Sequence, residues 1–550
     1  MSIKILLCNI PIRDETNLYP PVGCTRIINY LGRYGYNVQF LNIDMKRLSD
    51  EELLEYFRKE RFDIVGVSAV VSTGYAYTKK LAGLIKKGFA STRVIVGGNL
   101  AVVYEVLLKK CEIDICVIGE GEKVMLGLVQ YFDKHRSFLP ATPELKSIKG
   151  IACLDENKQL VYTGTGELIE KDDLTQPDYD ILAMDDGIGF YVKDSPGDYF
   201  NFDPRTNEPH RKGQKQAVIL TAKGCVNSCT FCHRWIKGYR VHPIEKVIAT
   251  VRDLKKRYNV GYFIIGDECF GEDIRWLNEF IRQIKPFDIL FSVSGVRVTL
   301  LKKDPTIIGR LKEAGMVTMC FGMESGCDKI LSIMDKKASR EDNLQAALEC
   351  AKEGVYTEIQ LVIGMPGENE ETIKETIDFV VKATSKLPRF PRLSVNYLQA
   401  LPGTPTYDFL RHYGLVGSSP DEVERYLLSV SDIDACKFSQ YINVTESALA
   451  RVMTWQRKIV FSVRIAWLKE HRWKMPPGRL KFSLKTSPLV YRCIDLLGET
   501  FWDLMAARNT IVIYGFRKAL LIFLRISKED RSAYMVPALS LRKLLHTMPF

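Results

Sequence analysis

Three cysteines fall within eight residues in the run Cys225-Val-Asn-Ser-Cys229-Thr-Phe-Cys232. Their thiolates are soft ligands, and three on one short loop can wrap a single metal centre of the iron–sulfur or zinc kind. Three ligands leave the fourth iron of a cubane cluster open, which suits a cofactor that must bind iron directly. A structural zinc site needs a fourth protein ligand. The adjacent His233 can supply one, so the spacing alone leaves both readings open. His233, Arg234 and Trp235 either line the site or support the loop. The remaining cysteines of the fourteen are scattered through a large chain. They are expected to be ordinary buried thiols in a reducing cytoplasm, not a disulfide framework.

Further groups able to do chemistry stand at the ends of expected strands. From Ala217 to about Leu401 the pattern alternates strand and helix. Strands are expected at Val218–Ala222, Tyr262–Gly266, Leu290–Val293, Thr318–Gly322, Glu358–Ile363 and Leu393–Gln399. The cysteine run follows the first. Gly266-Asp267-Glu268 ends the second, Arg297 follows the third, Gly322-Met-Glu324-Ser325-Gly326 ends the fourth, and Gly364-Met-Pro-Gly-Glu368 ends the fifth. Taken singly, Asp267, Arg297 and Glu324 read equally well as surface salt bridges or caps. Six such units suit a partial or full βα barrel with its active residues at the strand C-termini.

Residues 1–135 carry a second βαβ rhythm, with strands at Ile3–Cys8, Val38–Leu41, Ile64–Ser68, Val94–Val96 and Ile115–Ile118. The expected fold is doubly wound and Rossmann-like, with helices on both faces of a parallel sheet. Ligands of such folds sit beyond the carboxyl ends of the strands. The turns at Val67-Ser68, Gly97-Gly98 and Gly119-Glu120-Gly121-Glu122 fall there. Residues 136–215 are punctuated by proline and read as a connecting segment holding a small hairpin. Residues 216–410 form the barrel, and 411–550 a basic, mainly helical C-terminal domain.

The spacing Cys-x3-Cys-x2-Cys, with Phe231 before the last cysteine and the ordered strand-end motifs after it, resembles the radical S-adenosylmethionine (SAM) enzymes. The resemblance implies a [4Fe–4S] cluster on Cys225, Cys229 and Cys232. It further implies a methionine amino group held near Asp267 and Glu268, a methionine carboxylate facing Arg297, and a ribose at Glu324 and Ser325. One electron from the reduced cluster would split S-adenosylmethionine, and the resulting radical would take hydrogen from an unactivated C–H bond. With the N-terminal domain added, residues 1–410 resemble the cobalamin-binding branch of that family, which includes class B radical methylases and the anaerobic Mg-protoporphyrin ester cyclases. Ser68, Gly97, Gly98, Glu120 and Gly121 match the branch's cobalamin turns. Its Asp-x-His-x-x-Gly signature is missing: Asn9, Pro11 and Asp14 stand there, and no histidine precedes His135. Any cobalamin would therefore lack a histidine lower ligand from this domain.

The expected activity is cobalamin-dependent methylation of an unactivated carbon, with a radical cyclase or carbon-skeleton rearrangement as the alternative. A tRNA methylthiotransferase and a zinc-stabilised binding module are more remote. No additional three-cysteine site and no RNA-binding module accompany the barrel. The expected partners are a small-molecule or lipid-like substrate and an electron donor such as flavodoxin or ferredoxin, with no nucleic acid. The net charge of +11 is uneven. Residues 451–550 hold 19 Lys and Arg against 6 Asp and Glu. In Phe516–Arg525 an apolar core is flanked by positive charge. That stretch reads either as a cap over the substrate opening or as a helix lying on an anionic membrane. No run reaches the roughly 18–20 apolar residues of a membrane span. The N-terminus reads as a first strand, and a cytoplasmic location, with or without a membrane-peripheral contact, is expected.

Overall fold

The computed structural model describes residues 3–17, 19–135, 142–184, 187–232, 238–385, 387, 389, 391–430, 441–472 and 488–523, with side chains in the last segment described to residue 513. Among the expectations above, His233, Arg234 and Trp235 lie outside the described residues. So does most of Phe516–Arg525, apart from the helical path of its backbone to Phe523.

The first sheet contains β1 (Ile5–Asn9), β2 (Val38–Asn42), β3 (Ile64–Ser68), β4 (Arg93–Gly97), β5 (Ile115–Val117), β6 (Ile151–Leu154) and β7 (Leu160–Tyr162). Its order is β2-β1-β3-β4-β5-β6-β7. The first five strands pair in parallel, while β6 and β7 add on antiparallel. Alternate residues of β1 enter different cores. Ile5 and Leu7 pack with the helices Val22–Gly32 and Gly121–Lys134, and Leu6 and Cys8 pack with Asp50–Glu60 and Tyr75–Gly88. A strand buried on both faces is the signature of a doubly wound sheet. The expected boundary at residue 135 falls inside this sheet, because the hairpin of the connecting segment supplies its last two strands.

The second sheet contains β8 (Lys215–Ile219), β11 (Val260–Ile265), β12 (Leu290–Val296), β13 (Met316–Glu324), β14 (Ile359–Ile363) and β15 (Leu393–Tyr397), in the order β15-β14-β13-β12-β11-β8. It runs in sequence order and is open, as a partial barrel requires. Between β8 and β11 lies a hairpin that sequence patterning does not reveal, formed by β9 (Ala222–Lys223) and β10 (Arg240–Val241). The expected first strand, Val218–Ala222, is thus split, and its last residue belongs to β9.

Two compact units divide the chain: Met1–Val226 with His233–Val293 and Leu401–Ile433, and Asn227–Cys232 with Ser294–Ala400 and Asp434–Phe550. In the second unit the helix Leu449–Glu470 carries buried Trp455, whose indole N–H donates to Glu370 Oε1 at 2.5 Å. Trp467, Tyr491, Ile494 and Trp502 close a small core among the C-terminal helices. Among the described residues no helix is long and apolar enough to cross a membrane.

Candidate functional site

Order 2-1-3 in the first sheet reverses at β1, and ligands of open α/β sheets bind at such a switch point. A cavity of about 500 Å³ lies there. Ligand sites commonly measure about 300–1,000 Å³. Its wall takes Leu7 and Asn9 from β1, Ser68 from the end of β3, Gly97 from the end of β4 with Gly98 and Asn99 after it, and Gly119–Glu122 after β5. The opposite wall comes from the start of the second sheet, with Val218, Leu220, Gly266 and Glu268. Ser68, Gly97, Gly98, Glu120, Gly121 and Glu268 of the expected site residues therefore share one cavity. Gly98 requires its glycine: φ is +92°, and a Cβ would sit 2.4 Å from the Ala69 carbonyl oxygen.

Charged groups line the part of this cavity nearest the cysteine run. Glu120 is buried and meets Lys223 Nζ at 3.0 Å, Arg240 Nη1 at 3.1 Å and the Ile169 N–H at 2.9 Å; Arg240 Nη2 also donates to it. Burial would raise the Glu120 carboxyl, but Arg240, Lys223 and the Ile169 amide outweigh it and hold it below the ordinary range. Glu122 lies 3.4 Å from Lys223 Nζ. Arg26, also in the wall, is buried among Glu122, Glu120 and Glu268, with Nη2 at 3.1 Å from His242 Nε2. His242 is fully buried, and that burial, reinforced by Arg26, keeps it neutral.

Directly after β11, Asp267 accepts from the Thr221 N–H at 2.7 Å and from the Thr221 hydroxyl. Burial raises its carboxyl to about 7 against these hydrogen bonds. Glu268 Oε2 accepts the Gly224 N–H at 3.0 Å, so this carboxylate supports the residue next to Cys225. Cys269 is buried beside Cys225, and their hydrogen bond, together with burial, pushes the Cys269 thiol up.

In the second unit, Thr230 fastens the loop. Its N–H reaches the Met334 carbonyl at 3.0 Å and its hydroxyl the Ile333 carbonyl at 3.1 Å. Asn227 Nδ2 lies 3.7 Å from Cys229 Sγ. Lys336 is nearly enclosed and 2.8 Å from Glu324 Oε1. Burial alone would lower its ammonium, but Glu324, Cys229 and Cys232 raise it. Glu324 itself has φ +62°, a left-handed conformation that non-glycine residues seldom adopt and that clusters at functional sites. Ser325 is buried, with its hydroxyl 3.2 Å from Thr376 Oγ1 and accepting the Cys327 N–H. That hydroxyl shapes the turn after β13. Arg297 follows β12 and is half-buried, as is Phe231 in the cysteine run.

Among the described residues no three His, Cys, Asp or Glu side chains converge closely enough to hold a metal ion. The fit of a [4Fe–4S] cluster therefore rests on the donor set: three partly buried cysteine thiols outside any disulfide on one loop, with the Lys336 ammonium beside two of them. Cobalamin fits the cavity at the switch point, where glycine turns let backbone approach a large ligand and no lining residue is histidine. Sequence reasoning missed Lys223, Arg240, Lys336 and Thr221. The two cationic neighbours of the cysteine run, Lys223 and Arg240, stood in plain view but lacked a motif.

A Radical SAM superfamily model matches residues 219–380, and a B12 binding domain model matches residues 13–129. The anaerobic magnesium-protoporphyrin IX monomethyl ester cyclase of Cereibacter sphaeroides is 26% identical over 366 residues, covering 65% of this chain. The chain spans only 56% of that cyclase's length. An uncharacterized methyltransferase of Pyrococcus horikoshii is 27% identical over 399 residues, 70% of this chain and 76% of that protein. Among solved structures, the radical S-adenosylmethionine methyltransferase TsrM from Kitasatospora setae, with cobalamin and [4Fe-4S] cluster bound, aligns with a TM-score of 0.62. It covers 95% of this chain and 100% of that one at 18% identity, a likeness of fold.

Proposed function

We propose, on the premise that this chain is a radical SAM superfamily member bearing a B12-binding domain, that it is a cobalamin-dependent methyltransferase acting on an unactivated carbon. The observation that supports this most is the cavity whose two walls come from those two domains. When bound, the cluster and S-adenosylmethionine supply radical chemistry at a C–H bond and cobalamin supplies a methyl group. The chain's own residues bind and orient. Cys225, Cys229 and Cys232 hold the cluster, and Asp267, Glu268, Arg297, Glu324 and Ser325 are the residues for S-adenosylmethionine. The turns at Ser68, Gly97-Gly98 and Glu120-Gly121 carry cobalamin. The substrate is a small or lipid-like molecule, and the electron comes from a reductant of the flavodoxin or ferredoxin kind.

A cyclisation is the second reading, favoured by the similarity to the cyclase of Cereibacter sphaeroides. Product mass separates the two, because only methylation adds a methyl group. The test begins with anaerobically purified protein, reconstituted with iron, sulfide and cobalamin. It should bind all three and form 5′-deoxyadenosine from S-adenosylmethionine and a reductant. Cys225→Ala, Cys229→Ala and Cys232→Ala should each abolish that product. Zinc in place of iron and sulfide would sink the radical reading.

A further inference from the structure

In the two-residue ladder β9–β10, Lys223 and Arg240 are direct cross-strand partners. Like charges directly opposite each other destabilise a strand pair, and this ladder has only two pairs with which to resist. It nonetheless forms the neck of the loop that carries the cysteines. Both cations end on one carboxylate, Glu120, from the turn after β5. Within the same buried group, Arg26, Lys223 and Arg240 are balanced by Glu120, Glu122 and Glu268.

We propose that Glu120 is a positioning residue that closes the neck of the cysteine loop by neutralising Lys223 and Arg240, so that cluster retention depends on a turn of the B12-binding domain. The proposal deepens the reading above, since it rests on the loop holding a cluster. Glu120 sits in the motif Gly119-Glu-Gly-Glu122 at the cavity wall, and the same motif's Glu122 reaches Lys223 as well. Its role is therefore felt at the neck of the loop as well as at any ligand in the cavity. Removing its charge leaves three cations, Arg26, Lys223 and Arg240, against two carboxylates, Glu122 and Glu268, and the neck opens. Removing one cation at the same time restores neutrality.

The test uses the full chain, reconstituted anaerobically, and two readouts independent of turnover: amide hydrogen exchange over residues 221–241 and the rate of iron loss to a chelator. Glu120→Gln should speed both by about tenfold or more, because an uncompensated buried charge costs more than one decade in an equilibrium constant. The double variant Glu120→Gln/Lys223→Met should return to within roughly threefold of wild type, the coupling expected of residues in contact. Wild-type rates in Glu120→Gln, or a double variant no better than the single one, overturn the proposal. Should Glu120→Gln not accumulate as folded protein, recovery of cluster-bearing protein in the double variant supports the proposal and failure to recover overturns it. Wild-type protein that never takes up iron and sulfide overturns the cluster reading instead, a distinct result.

Discussion

A carboxyl shut away from water, and held only by Thr221 and the Ala222 amide, titrates late. Asp267 is such a group, with its carboxyl at about 7 against an ordinary 3.8. The folded chain therefore binds that proton more tightly than the unfolded chain does. The side chain contributes most to stability below about pH 4, and the contribution is lost as the pH climbs through 7. Asp267→Asn, which mimics the protonated form, should gain on wild type between those limits by up to about 4 kcal/mol. Denaturant unfolding at pH 5 and pH 8 checks it, and a pH-independent difference would refute it. Lys336 gives a second expectation. Its ammonium faces Cys229, Cys232 and Glu324, and charge near a cluster sets its potential. Lys336→Met should make the cluster harder to reduce in a redox titration followed by electron paramagnetic resonance. The cysteines and Asp267 were legible because each belongs to a short local run. Lys336 was not, because its partner Glu324 stands twelve residues earlier in a left-handed conformation at the end of β13.

At the scale of elements, the neck of the cysteine loop is two glycines back to back. Gly224 has φ +83°, and a Cβ there would lie 2.4 Å from the Gly238 carbonyl oxygen. Gly224→Ala meets both a strained conformation and immovable backbone. It should cost at least about 2 kcal/mol and lower the iron bound per chain, as unfolding and metal analysis would reveal. An alanine variant with wild-type stability and iron content would contradict the close approach. The six strands of the second sheet were readable from apolar runs bounded by turns. The pair β9–β10 was not, since two residues carry no periodicity. β6 and β7 were recognised as a hairpin, yet their place at the edge of the first sheet depends on Cys153 of β6 pairing with Ile115 of β5.

Over the whole molecule, sequence position misleads about membership. Residues 401–430 fall in the first unit, apart in sequence from the rest of it. There Glu424 accepts from Tyr75 at 2.8 Å and pairs with Lys79 at 2.6 Å, and Asp421 pairs with Lys110. Partners more than three hundred residues apart leave no local trace in a single chain. The C-terminal region was expected to be mainly helical, and its core is built on aromatic side chains. Trp502→Ala should cost about 3–5 kcal/mol, visible as a lower unfolding midpoint of the full chain. A change below about 1 kcal/mol would mean that the helices around Trp467 and Tyr491 hold without it.

Every residue of the cavity wall lies between Leu7 and Glu268. On a ribosome, a nascent chain that has just released Glu268 already carries the complete wall, with residues 269–550 still to be made. At roughly 5–20 residues per second, that leaves about 15 to 60 seconds of synthesis. Cys225, Cys229 and Cys232 lie inside that span too, so the cavity wall and the cysteine run are both made before β12–β15. Strands β12–β15 are thus added to a chain that already holds both sets of residues.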